Sequence, residues 1–287
     1  MNTTISTMTP AMPGADERRA LSRARNYRRL VIGLRAGLAV ALIAAWETMV
    51  RIGWLDPFFF SQPSAIYQQL ATWLTEGTGQ GPLWRELLVT MEETVLGFLI
   101  GSVLGIVCGI LLGRNKLAAD VFSIYIKVAN AIPRVVLGSI FIIMFGLGMG
   151  SKVALAVVMV FFVVFGNAFQ GVREADRNMI ANAYILGANA RQVTTSVVLP
   201  SALSWILASL HVSFGFALVG AVVGEFLGSR HGIGLLISTA QGTFNAAGVF
   251  AAMIVLAVVA LGAEYLLTAI EGRMLKWKPP QFLEMGM

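Results

Sequence analysis

Residues Thr94–Gly113 read TVLGFLIGSVLGIVCGILLG, a stretch without a single charged side chain. About 20 apolar residues, rising about 1.5 Å each in a helix, are what roughly 30 Å of hydrocarbon requires. Runs of the same kind recur near 31–50 (VIGLRAGLAVALIAAWETMV), 133–149, 153–171, 203–225 and 248–270. The expectation is an all-α fold, a polytopic membrane bundle of six transmembrane helices. Lys127 and Arg134 shorten the apolar run of the third span, and a short interfacial helix over 117–131 is expected before it.

Composition supports this outward from the spans. The 287 residues are 57% hydrophobic and 13% charged, against about 25% charged in soluble domains, and the mean hydropathy is +0.76. A lone cysteine, Cys108, excludes a disulfide framework and a thiolate metal site. Two histidines, His211 and His231, leave no cluster for zinc, so no metal is expected. Basic residues in short loops stay on the cytoplasmic side. With both termini inside, 17 of the 21 Lys and Arg are cytoplasmic, including Arg114, Lys116, Lys127 and Arg134 around the turn between spans two and three; Arg51, Arg85, Lys152 and Arg230 fall outside. The formal charge of +6 is thus a topology signal and not a nucleic-acid signal. The first apolar run is about 20 residues, longer than the 7 to 15 of a signal peptide, and is read as a retained helix. Residues 1–30 are expected as a partly disordered cytoplasmic tail, 31–275 as the membrane domain and 276–287 as a second tail.

Three segments lie between the spans. In 51–87, Asp56-Pro57 and Gln62-Pro63-Ser64 are turn chemistry that gives way to a short amphipathic helix through Ile66, Leu70 and Trp73-Leu74. The Gly-, Ser- and Thr-rich stretch 226–247 reads as an outer loop that could face a soluble partner. The cytoplasmic segment 172–200, VREADRNMIANAYILGANARQVTTSVVLP, predicts two short helices with a bend at Gly187. Its first helix has an apolar ridge of Met179, Ile180, Ala183 and Leu186, bordered by Asn178, Asn182 and Tyr184. Such a helix either plugs another protein's groove or lies flat on lipid.

The spacing Ala183-x3-Gly187-x9-Val197-x-Leu199-Pro200 resembles the cytoplasmic signature loop of permease subunits of binding-protein-dependent ABC importers. That pattern is Glu-Ala-Ala, three residues, Gly, nine residues, Ile, one residue, Leu-Pro. Gly187, Leu199 and Pro200 match it, Val197 replaces the isoleucine, and Ala181 stands where the glutamate is expected. Other pieces resemble the nitrate, sulfonate and taurine branch. These are Leu55-Asp56-Pro57-Phe58-Phe59 with Gln62-Pro63-Ser64, Ile132-Pro133, Phe145-Gly146-x-Gly148-x3-Lys152, and Gly224-Glu225-Phe226-Leu227-Gly228-Ser229 with Gly232-Ile233-Gly234.

The resemblance implies a multi-pass protein of the bacterial cytoplasmic membrane. It implies two permease copies, two cytoplasmic ATPase subunits holding ATP and Mg, and a periplasmic substrate-binding protein. It places Asn178, Met179, Ala181, Asn182, Ala183, Tyr184, Gly187, Ala188, Leu199 and Pro200 in the ATPase-coupling loop. The substrate it suggests is a small anion or organic solute such as nitrate, sulfonate or taurine. The chain has no G-x-x-x-x-G-K-[ST] phosphate loop of its own, and Gly146–Lys152 lacks the Gly-Lys pair. No catalytic residue is expected: G-x-S-x-G and H-E-x-x-H are both absent. The rival is a secondary transporter or channel driven by an ion gradient, which usually shows matched broken helices or several intramembrane charges.

Gly97, Gly101, Gly105, Gly109 and Gly113 recur every fourth residue, as do Gly220, Gly224 and Gly228. Small residues let helix backbones approach in lipid. An i+4 series drifts about 40° per step, so the five glycines of span two need not serve one partner. Static packing within the bundle is favoured over a dimer seam. His211, about 12 Å into span five, is a candidate for the translocation path or a hydrogen-bonded structural residue. Glu225, at the outer end of that span where a carboxylate reaches water, is a candidate gate. Glu93 and Glu264, near span ends, are expected to snorkel or pair.

Overall fold

The computed structural model describes residues 15–274, with side chains from residue 26 to 269 apart from Arg177. All regular elements among them are helical. Residues 1–64 and 65–287 form two units.

In the first unit, α1 (Ala15–Arg51) runs unbroken from the arginine-rich stretch through the first apolar run. The expected tail is therefore helical from Ala15, and residues 1–14 and 275–287 lie outside the described part. α2 (Pro57–Phe60) begins where the Asp56 side chain accepts the Phe58 N–H at 2.8 Å, with Pro57 in the first turn. α3 (Pro63–Thr75), which belongs to the second unit from Ala65 onward, is the expected amphipathic helix: Ile66 and Trp73 are buried and Leu74 is exposed. Within the first unit the Glu47 carboxylate accepts the Ser64 N–H at 3.0 Å and its hydroxyl at 2.9 Å.

The second unit continues with α4 (Leu83–Arg114), α5 (Lys116–Ala131), α6 (Arg134–Phe145), α7 (Met149–Arg173), α8 (Arg177–Ile185) and α9 (Ala190–Val193). A π-helical turn, Thr194–Val198, leads into α10 (Leu199–Leu227), α11 (Ile233–Gly242) and α12 (Ala246–Met274). Among the described residues five stretches are long and apolar enough to cross a membrane: Asn26–Arg51, Leu83–Arg114, Met149–Arg173, Ala190–Leu227 and Ala246–Ala269. The remaining expected crossing, 133–149, corresponds to α6, and α5 is the helix expected before it; the two are bent by 85°. The break is local chemistry. Pro133 cannot donate to a helix and holds Ile132 extended, at φ −70° and ψ 126°. Gly146, at φ +75°, then ends α6 four residues before the expected boundary. At 12 residues and about 18 Å, α6 alone is too short to span.

α7 is the centre of the unit. α4 runs parallel to it and α10 antiparallel, so that Ala156 lies against both Gly97 and Gly220. All five glycines of α4 face α7, meeting Ala156, Val160, Val164, Ala168 and Val172 in turn. The expected drift away from a single partner does not occur, because α7 presents its own small and β-branched residues at the same four-residue interval. Two helices with a repeat longer than 3.6 residues wind around one another and stay in contact. Backbone approach is close: a Cβ on Gly109 would stand 2.7 Å from Ala168 Cβ and 2.8 Å from the Phe165 carbonyl oxygen. The glycine stripe is thus packing inside the chain.

Candidate functional site

Two groups of residues stand at opposite ends of α7. At the Met149 end, α4 begins eleven residues before the expected boundary, and the added turns carry Glu86, Thr90 and Glu93. All three are buried, together with Lys152 and Glu225. The segment 226–247 contains α11 in place of the expected loop, with Ile233, Gly234, Leu236 and Ala240 buried. Backbone N–H groups at its start seat it on the acidic side chains. Gly232 N donates to Glu86 at 2.6 Å, Gly234 N to Glu225 at 2.6 Å, and Ile233 N to the Thr90 hydroxyl at 2.9 Å. The Thr90 hydroxyl donates onward to Glu225 at 2.7 Å. His231 Nδ1 lies 3.1 Å from Glu86. Gly232, at φ +111°, leaves no room for a side chain, since a Cβ would collide with the Glu225 carboxylate.

Lys152 completes this clasp. Its ammonium donates to the carbonyls of Leu147 at 2.7 Å and Gly148 at 3.1 Å, and Glu93 and Glu225 are the charges that act on it. The sequence reading of Lys152 as an outer-loop residue, and of Glu225 as a carboxylate reaching water, is corrected here: both are fully buried. Glu93 is likewise enclosed rather than snorkelling. Glu86, Thr90 and Glu225 are tolerated inside an apolar helix end because the start of α11 brings donors to them. Glu86 and Thr90 were not singled out by sequence. Their signal was the four-residue spacing of Glu86, Thr90 and Thr94 along one face, all three of which are buried.

At the Arg173 end, α8 and α9 form the bent pair expected over 172–200. Asp176 caps α8 by accepting the Asn178 N–H at 2.8 Å. Gly187, at φ +84°, closes it: its N–H donates to the Tyr184 carbonyl and that of Ala188 to the Ala183 carbonyl, both at 3.0 Å. This is the Schellman arrangement, which requires a left-handed residue where glycine stands. Asn189 and Gln192 then form a reciprocal capping box that starts α9.

The expected apolar ridge of α8 divides. Ile180, Ala183 and Ala188 pack on Val172, Val193 and Val198 of the bundle. Met179, Tyr184, Ile185 and Leu186 are exposed, the last two by 82% and 86%. Asn178, Ala181 and Asn182 are exposed with them. A cavity of about 300 Å³ opens beside the turn, lined by Ala183, Leu186, Gly187, Ala188, Gln192 and Val197. Leu199 and Pro200 lie at the first turn of α10, on an apolar cavity of about 540 Å³ shared with Ile106 and Ile110 of α4. Pro200 cannot donate to an α-helical ladder, and the preceding π turn accommodates this.

The two intramembrane candidates separate. Glu225 belongs to the clasp. His211 lies with its Nδ1 3.6 Å from Glu264 of α12, which pairs two ionisable residues that the sequence placed on different spans. Arg134 departs furthest from expectation. The sequence puts it in the turn beside Arg114, but its guanidinium stands 5.1 Å over the ring of Phe162, near the middle of α7.

The model of one protein family, described as binding-protein-dependent transport system inner membrane component, matches residues 101–276. The putative aliphatic sulfonates transport permease protein SsuC of Bacillus subtilis is 30% identical over 84% of this chain and 86% of its own length. The taurine transport system permease protein TauC of Escherichia coli is 27% identical over 86% of this chain and 90% of its own. In three dimensions the chain is similar to a subunit of the MetNI methionine ABC transporter in an inward-facing conformation. The TM-score is 0.58, with 18% identity over 68% of this chain and 94% of that one.

Proposed function

The chain belongs to the family of binding-protein-dependent transport system inner membrane components, and we propose that it moves a small sulfonate or a similarly charged organic solute inward across the bacterial cytoplasmic membrane. It is a transmembrane permease subunit of an ABC importer, with ATP hydrolysis in a separate subunit.

The observation that carries the mechanism is the α8 turn. It is held on one side, where Ile180 and Ala183 are packed into the bundle, and bare on the other, where Met179, Ile185 and Leu186 are exposed. Exposed apolar anchors on a short fixed helix suit a groove on another protein. In this reading the 172–200 loop and both termini are cytoplasmic and the clasp faces the periplasm. The loop residues from Asn178 to Ala188 seat in an ATPase subunit, two of which, charged with ATP and Mg, serve two permease copies. Closure of the ATPase pair pulls α8, and the load passes through Val193, Val198 and Pro200 into α10 and through Val172 into α7. A two-state change in helix packing then opens the path to one side or the other. A binding protein delivers solute at the clasp end. The substrate class rests on the sulfonate and taurine relatives.

Reconstitution of the permease with its ATPase and binding protein in liposomes tests this. Taurine or alkanesulfonate uptake that requires ATP and all three components is expected. Uptake driven by an ion gradient through this chain alone overturns it.

A further inference from the structure

The cation at Arg134 has a place in the bundle that the importer reading leaves unassigned. Phe162, beneath it, stands roughly 20 Å from one end of α7 and 17 Å from the other at about 1.5 Å per residue. α7 has the length and hydropathy of a spanning helix, so Arg134 lies at the level of the bilayer centre. An arginine there costs about 2.5–3.5 kcal/mol even on insertion scales, and such residues face the bundle interior or a water-filled cavity.

Lys152, the buried cation at the Met149 end of α7, is held differently. Lys152 has two carboxylates acting on it and two carbonyls accepting from it. Arg134 has the Asn130 side-chain carbonyl at 2.7 Å and the face of Phe162. Among the described residues no carboxylate forms an ion pair with it. It is half-buried, and Ala131, Ile132, Val135 and Val136 around it are exposed. It also sits at the 85° break between α5 and α6, and non-helical backbone at membrane depth occurs where it lines a cavity or is buried in protein.

We propose that Arg134 is the anion contact of the translocation path, taking the oxyanion group of the passing solute on its forked N–H donors. The inference rests on the importer reading, since it needs a path along this face. A sulfonate supplies the missing negative charge while it passes, and the Asn130 bond and the Phe162 ring hold the guanidinium plane ready for it.

Two measurements on the assembled transporter test this. In a Cys108→Ala background, Ala131→Cys places a thiol beside Arg134 without changing it. Membrane-impermeant methanethiosulfonates carrying a sulfonate or a trimethylammonium group then report the local field. The anionic reagent is expected to react at least about tenfold faster than the cationic one, and adding Arg134→Gln is expected to abolish the preference. In the second, Arg134→Gln is expected to lower taurine uptake at least about tenfold in a complex that still assembles, with Arg134→Lys intermediate through a raised KM.

A thiol that neither reagent reaches, equal rates with Arg134 intact, or Arg134→Gln uptake within about twofold of the parent overturns the assignment. A parent transporter that imports no sulfonate yet shows the charge-selective labelling overturns the substrate class and supports Arg134 as the cation of the path.

Discussion

The Thr90 hydroxyl donates to the Glu225 carboxylate at 2.7 Å and receives the Ile233 N–H at 2.9 Å, so one buried hydroxyl joins α4, α10 and the start of α11. Neither group has water nearby to replace it, since Thr90 and Glu225 are both fully buried. The helix that opens the 226–247 segment is therefore held by hydrogen bonds and not by hydrophobic area alone.

Thr90→Val keeps the shape and removes both bonds. It is expected to destabilise the purified permease by about 2–3 kcal/mol, and Thr90→Ser, which keeps the hydroxyl, by less than about 1. Thermal unfolding midpoints in detergent check this. A Val variant as stable as the parent removes the clasp as a source of stability.

Glu93 and Glu225 act on the buried Lys152, whose ammonium is the donor to the Leu147 and Gly148 carbonyls, and removing it takes away both that donor and the positive charge beside the two carboxyl groups. Lys152→Met is expected to cost about 3–5 kcal/mol. Combining it with Glu93→Gln and Glu225→Gln should return part of the loss, because the uncompensated charges disappear together. A triple variant less stable than Lys152→Met contradicts the charge argument.

The α4–α7 seam predicts strict size limits. Gly109→Leu is expected to prevent the close approach and destabilise by about 3 kcal/mol or more. Gly109→Ala meets Ala168 Cβ at 2.7 Å and should be partly rescued by Ala168→Gly. Chromatographic homogeneity and melting of the four combinations give the coupling. Additive effects would place the two residues out of contact.

Gly187 separates folding from coupling. No atom lies within 4 Å of a Cβ built there, so the penalty of substitution is the left-handed backbone, about 1–2 kcal/mol for an ordinary residue. Gly187→Ala and Gly187→Asp are expected to leave the permease inserted and the ATPase active while uptake falls several-fold. Gly187→Asn, which tolerates the conformation better, should fall least. Normal uptake by Gly187→Asp argues against docking through this turn.

Much was legible along the chain. The spans, the bend at Gly187, the two short helices around it and the α3 amphipath follow from local rules: apolar length, capping side chains and proline punctuation. The burial of Glu93, Lys152 and Glu225 together was not, because they lie on three helices and come together only when those helices pack. Phe145-Gly146-x-Gly148-x3-Lys152 and Gly224-Glu225 with Gly232-Ile233-Gly234 stood far apart as sequence pieces, and in the fold they meet at one place. Along the sequence the ridge on α8 is one face. The bundle takes Ile180 and Ala183 and leaves Met179, Ile185 and Leu186 outside, and no periodicity tells which flank of a stripe meets protein.

By itself the sequence determined that this chain lives in lipid, since hydrocarbon thickness acts on each apolar segment alone; it marks Pro133 as the start of the third crossing, and the structure makes that proline the break between α5 and α6. Depth and partnership were decided only by tertiary structure. Arg134, in sequence a residue of a charged turn, rises to the middle of the bundle because α6 folds back along α7. Glu225, in sequence a water-facing end, becomes buried because α11 returns to cover it. Both depend on which helix lies beside which, and that is set by interactions between residues distant along the chain.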